Sequence, residues 1–127
     1  SFDAVIALWY RDSIKMPDAK SAFVERDKIL GYLLNRGHRF GAGKARFFES
    51  FGFRIEQWEV LAEAFQEHGQ VREVTNVQDT GFGPRYEVEG PLRTPDGRNP
   101  LVRTVWQRDL DAPAPRLITA YPVEKKR

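Results

Sequence analysis

The feature that most constrains this chain is a change of period. Up to Gly69 the apolar residues recur at helical spacing; from Val71 onward they alternate. In residues 55–68, Trp58, Leu61, Ala62 and Phe65 fall on one face, and Glu56, Glu59, Glu63 and Glu67 fall mostly outside it. That is the 3.6-residue pattern of a helix burying one side, with Gly69 as its expected stop. "VREVTNV" (71–77), "RYEVEG" (85–90), "LVRTVWQR" (101–108) and "RLITAYPV" (116–123) then each alternate with period two. Asp79-Thr80-Gly81, Pro95-Asp96-Gly97 and Ala112-Pro113-Ala114-Pro115 separate them as turn signals. Helices followed by four strands at hairpin spacing predict an α+β fold, with N-terminal helices packed on one face of a four-stranded antiparallel meander.

Upstream, the spacing predicts a short helix over 3–13, a turn-rich link around Met16-Pro17, and a short strand at 22–24. Helices are predicted over 25–35, with Ile29, Leu30, Leu33 and Leu34 as the buried stripe, and over 43–51, ended by Gly52. With 127 residues and 41% hydrophobic content the chain is long and apolar enough for one cored domain. The expected division is 1–15 as a linker or short helix, 16–123 as a single α+β domain, and 124–127 as a basic tail. Ser1 in first position reads as a fragment of a longer protein, a processed product or a cloning remnant. No run approaches the roughly 18 apolar residues of a membrane span, so membrane insertion is not expected. The stretch from Phe2 to Tyr10 is short, contains Asp3 and lacks a basic flank, which does not fit a signal peptide. Without cysteine the chain has no disulfide and no thiolate metal site. Two histidines on separate segments, with no acid at ligand spacing, predict no metal site, and no cofactor is expected.

The chemistry concentrates in "GHRFGAGKARFF" (37–48). Five residues separate Gly37 from Gly43, and Lys44 is followed by Ala45, so the Walker loop's four-residue spacing and its Ser/Thr are both missing. Nucleotide hydrolysis is excluded on that pattern. What is left is a lysine in the first turn of the predicted helix, where the macrodipole disfavours a cation by about 0.3–1 kcal/mol. Lys44 also heads the stripe that continues through Phe48 and Phe51. A lysine set against both the dipole and the hydrophobic pattern fits an anion site, with free backbone N–H groups and the ammonium receiving a phosphate. The competing reading is a lysine whose stem covers the edge of the core.

His38, in the glycine-flanked loop, is the candidate general acid or base. His68, next to Gly69, reads as a helix C-terminal cap. On the strands, Val102, Thr104 and Trp106 share one face, and Arg103 lies on the other. Leu117, Thr119 and Tyr121 share a face by the same alternation. A hydroxyl-bearing sheet face beside a basic helix start could orient a phosphodiester. The carboxylates, Glu87 and Glu89 among them, read as solvent-facing. Arg36, Arg39, Lys44, Arg46 and Arg54 lie within nineteen positions with Glu49 the one acid between them, a basic segment suited to a polyanion.

"MPDAKSAFVERDKILGYLLNRGHRFGAGKARFFESFGF" (16–53), Trp58, "VEGPLRTPDGR" (88–98), "VRTVW" (102–106) and "PRLITAYP" (115–122) resemble an uncharacterised bacterial family, a domain of unknown function. Its signature is a loop His-Pro-x-Gly-x-x-Lys-Ala-x-Phe-Phe, a T/S-V-W strand and a terminal V-T-A-Y-P. Arg39 replaces the signature proline. At the level of element order, the chain is also similar to the barnase–EndoU–colicin–RelE group of metal-independent ribonucleases, many of them bacterial toxins. That resemblance implies a toxin domain that cleaves RNA, with tRNA as a candidate target, by attack of the ribose 2′-OH on the adjacent phosphorus. His38, Lys44, Thr104, Thr119 and Tyr121 would be its catalytic and positioning residues, and Arg46 and Arg103 its phosphate contacts. It also implies an acidic immunity protein as partner. The site of action would be the cytoplasm, after secretion or delivery as the C-terminal part of a larger protein. The alternative is a binding module that engages a protein or a nucleic acid without cleaving it.

Overall fold

The computed structural model describes residues 14–124; the helix predicted over 3–13 and the end of the basic tail lie outside the described residues. After a 3₁₀ turn at Ala19–Ser21, helix α1 starts as Arg26–Lys28 and continues as a π-helical stretch, Ile29–Leu33. Helix α2 is Ala42–Ser50. A 3₁₀ turn, Ile55–Gln57, leads into helix α3, Trp58–Val71. Strands β1 (Glu73–Thr80), β2 (Gly83–Pro91), β3 (Leu101–Gln107) and β4 (Arg116–Pro122) follow in spatial order β1-β2-β3-β4, all antiparallel. This is the predicted α+β meander.

The core forms where α3 crosses β2 and β3. Leu61, Phe65, His68 and Gly69 are the buried positions of α3, spaced i, i+4, i+7 and i+8, over Val88, Val102, Thr104 and Trp106. Phe48 of α2 joins them edge-on to Phe65, with ring centroids 5.3 Å apart. Gly69 does not stop α3, which continues to Val71. A β-carbon at Gly69 would come within 2.6 Å of Trp106 Cζ2, so the glycine is required by contact with the indole.

Three local departures from the sequence pattern place the site. In α1, Leu34 N–H donates to the carbonyl of Ile29 (2.8 Å), a π-type bond that widens the last turn. The expected stripe shifts accordingly: Ile29, Leu33 and Leu34 are buried, while Leu30 is half-buried. In β4, the register jumps between Val105↔Thr119 and Trp106↔Leu117, so Ile118 is an extra residue. Leu117 therefore lies on the core face with Trp106, whereas Thr119 and Tyr121 lie on the opposite face with Val105 and Arg103. The single face expected for Leu117, Thr119 and Tyr121 is broken by this bulge. Finally, the strand expected at 22–24 shrinks to one parallel bridge, Phe23↔Arg116, which covers the start of the β4 edge.

Candidate active site

The loop between α1 and α2 is built around His38. Its Nδ1 accepts the backbone N–H groups of Phe40 (3.0 Å) and Gly41 (2.9 Å), and its carbonyl accepts the N–H of Ala42 (3.1 Å). Because a backbone N–H can only donate, Nδ1 is an acceptor and the proton of the neutral ring sits on Nε2. Asn35 Oδ1 braces the other end of the loop by accepting the Gly37 N–H (2.8 Å). Gly41 is the glycine that the geometry demands: a β-carbon there would lie 2.2 Å from the Tyr32 carbonyl oxygen. At Gly43 the same atom would meet open space.

Tyr32, which sequence reasoning missed, is the hub of the cluster. Its hydroxyl shares a hydrogen bond with Thr119 Oγ1 (3.0 Å), and its ring lies 4.9 Å, centroid to centroid, from that of His38. The ammonium groups of Lys28 and Lys44 each lie 5.6 Å from its ring centroid. Nothing in the helical spacing of "ILGYLLN" marks Tyr32 as different from a core aromatic. The π turn and the bulge at Ile118 have to form before its hydroxyl meets Thr119.

Lys44 is the third residue of α2, half-buried, in the first turn as predicted. No side chain caps this helix. Among the described residues, Lys28, Arg39, Lys44 and Arg46 are in no ion pair. Arg36, Arg54, Arg93, Arg98, Arg108 and Arg116 each have a carboxylate partner. Lys15, Lys20, Arg26, Arg72 and Arg85 are also in no ion pair among the described residues, but Lys28 and Lys44 share the Tyr32 ring, and Lys44 also lies where the macrodipole of α2 adds to its charge. Arg46 is exposed and only two residues past Lys44, so it projects from another side of the helix and is not brought into the cluster.

On β4, Tyr121 follows Thr119 by two residues on the same face, about 7 Å along the strand. Tyr121 Oη accepts a hydrogen bond from Arg103 Nη1 (3.1 Å), and Arg103 also pairs with Glu89 and, at 3.8 Å, with Glu87. Hydrogen bonds to Tyr121 and Glu89 push Arg103 further up, so the guanidinium stays charged. Glu87 and Glu89 are thus half-buried partners of Arg103 and not the free solvent-facing carboxylates expected. Arg103 and Tyr121 line a hollow of about 460 Å³ with Pro122, Val123 and Glu124. His38, Lys44, Tyr32, Thr119, Tyr121 and Arg103 make one strip from the start of α2 along β4 to the outer sheet face.

Thr104 is not in it. It is fully buried on the core face, where Trp106 Nε1–H donates to its hydroxyl (2.8 Å) and the hydroxyl donates to His68 Nδ1 (2.8 Å). His68 Nε2–H then donates to the carbonyls of Gly90 and Val102, each at 3.0 Å. Thr104 cannot reach a phosphate from there, and His68 is an interior hydrogen-bond bridge instead of a helix cap. Desolvation, with a smaller push from Arg72, lowers His68 to about 4 against the partial offset of its two carbonyl partners.

The family model described as a domain of unknown function (DUF6883) matches residues 15–124. No curated protein matches the chain in sequence. Among solved structures, the chain is similar to one from the contact-dependent growth inhibition toxin–immunity protein complex of Klebsiella pneumoniae 342. The two are 18% identical with a TM-score of 0.64, and the match covers 87% of this chain and 100% of the other. At that identity the likeness establishes a shared fold.

Proposed function

The chain belongs to the DUF6883 family of unknown function, and from its own site we propose that it is a bacterial toxin domain that cleaves RNA, tRNA among the candidate targets, by metal-independent transesterification. The observation that carries this reading is the cluster around Tyr32: the Lys44 ammonium, in a first turn of α2 that no side chain caps, lies 5.6 Å from its ring centroid, the His38 ring centroid lies 4.9 Å away, and Thr119 shares a hydrogen bond with its hydroxyl. Cleavage of a ribose phosphodiester needs little more than this: a place for the phosphate, and positive charge aimed where the phosphorane oxygens become more negative.

The 2′-oxygen attacks phosphorus, the bond from phosphorus to the 5′-oxygen breaks, and a 2′,3′-cyclic phosphate remains. The 2′-OH proton passes to water, and the departing 5′-oxygen takes up a proton from water. Lys44 and the backbone N–H groups of Gly43 and Lys44 stabilise the charge on the non-bridging oxygens, the Ala42 N–H being taken by the His38 carbonyl. His38 adds a donor from Nε2, a narrower role than the general acid or base first expected, because Nδ1 is occupied by the loop. Thr119 and Tyr121 orient the sugar–phosphate backbone on β4, and Arg103, occupied by Glu89 and Glu87, holds Tyr121 in place instead of making the phosphate contact first expected. The shared fold with a chain of a toxin–immunity protein complex supports the toxin role. The unpaired cations would suit an acidic immunity protein.

Tightly controlled expression in a bacterial cytoplasm tests the reading. Growth arrest with discrete cleavage of RNA is expected for the parent, and neither for Lys44→Ala. Harmless overexpression with intact RNA would instead favour a binding module.

A further inference from the structure

We propose that Phe40 is a stacking platform for an unpaired RNA base next to the reacting phosphate, so that the substrate is single-stranded or looped RNA. This inference rests on the ribonuclease reading and adds a substrate class to it. Phe40 is 68% exposed, yet it does not sit on a slack loop. Its N–H is bound to His38 Nδ1, and the following residue, Gly41, is pressed against the Tyr32 carbonyl. The backbone thus holds an apolar ring in water two residues from His38 and four from Lys44.

The neighbours of that ring are those of a nucleic-acid contact. The Arg39 guanidinium lies 5.3 Å from its centroid, and the His38 ring lies 6.2 Å away at 53°. Arg39 is exposed and in no ion pair among the described residues, so it can meet a backbone phosphate while lying against the phenyl ring. An aromatic face beside unpaired cations binds any base through its π-surface, provided that the base has left its own helix. Phe82 is exposed too, at 77%, but it sits in the β1–β2 turn, where its carbonyl accepts the Leu110 N–H, and among the described residues no cation lies over its ring. Exposure alone would not distinguish the two; position beside the anion site does.

Binding is measured with a uniformly 2′-O-methylated single-stranded RNA dodecamer, which lacks the attacking hydroxyl, and with its blunt duplex. Phe40→Trp is expected to show fluorescence quenching by the single strand, above that of the parent, and little by the duplex. Phe40→Ala and Phe40→Leu should both lose about 5- to 150-fold in single-strand affinity, because leucine keeps the apolar bulk and lacks the π-face. Unchanged affinity in both variants, or equal quenching by duplex, overturns the platform. Because the probe cannot be cleaved, this outcome is independent of catalysis. A parent that cleaves unmodified RNA while Phe40→Ala binds normally would leave the ribonuclease reading standing without the platform.

Discussion

His38 has two nitrogens with two separable jobs, and substitution can divide them. In His38→Asn, the side-chain oxygen takes the place of Nδ1 and still accepts the Phe40 and Gly41 N–H groups, whereas the Nε2–H donor is gone. The expected outcome is a melting temperature close to that of the parent and RNA cleavage slower by about 100-fold, in the range of losing one oxyanion donor. His38→Ala should lose the loop as well and melt earlier. If His38→Asn cleaves like the parent, the histidine is a loop cap only. Lys44→Ala should also lose about 10²- to 10³-fold in kcat. Its stability should rise slightly or stay level, because a cation leaves the positive end of α2. The sequence marks Lys44 because it breaks a local rule, and His38 because it is an imidazole in a glycine-flanked loop. Tyr32 was not, because an aromatic in a half-buried stripe breaks none.

At the scale of elements, the α1–α2 loop and the α3–β3 packing each hang on small groups. Gly41→Ala drives a methyl group into the Tyr32 carbonyl and should cost about 1–3 kcal/mol in urea unfolding. Gly43→Ala, inside α2 with open space around it, should stabilise by up to about 1 kcal/mol. Equal effects at the two positions would contradict the loop geometry. The α3–β3 bridge of Trp106, Thr104 and His68 predicts an acid-sensitive fold. His68 is lowered to about 4 in the folded protein and lies near 6.5 in the unfolded chain, so the unfolded state binds its proton first as pH falls. Its contribution is complete above pH 6.5 and fades toward pH 4, a loss of about 3 kcal/mol. Urea midpoints at pH 7 and pH 4 should show this excess loss in the parent and not in His68→Gln. The sequence pattern placed His68 at a helix end because Gly69 looks like a stop. Because the helix runs on to Val71 with Gly69 against Trp106, His68 falls on the buried face with Leu61 and Phe65.

Over the whole molecule, charge separates into two kinds. Among the described residues most arginines are paired with carboxylates, whereas Lys28 and Lys44 over Tyr32 and Arg39 over Phe40 are in no ion pair. If Lys28, Arg39 and Lys44 together meet three phosphates, the logarithm of single-strand affinity should fall with that of salt at a slope of about −2. Titration of the non-cleavable dodecamer across potassium chloride concentrations measures it, and a slope near zero would remove the phosphate assignment. The sequence by itself determined the α+β class, the order of the elements, the meander, and the odd lysine, because periodicity and turn chemistry are local properties. Tertiary structure decided which of the marked residues meet. One extra residue in β4 carries Thr119 and Tyr121 to the face of Arg103, while Thr104, one step along β3, stays in the core. Side chains alternate along a strand, so a single bulge reassigns every residue beyond it to the opposite face, and no local pattern in "RLITAYP" announces where that bulge falls.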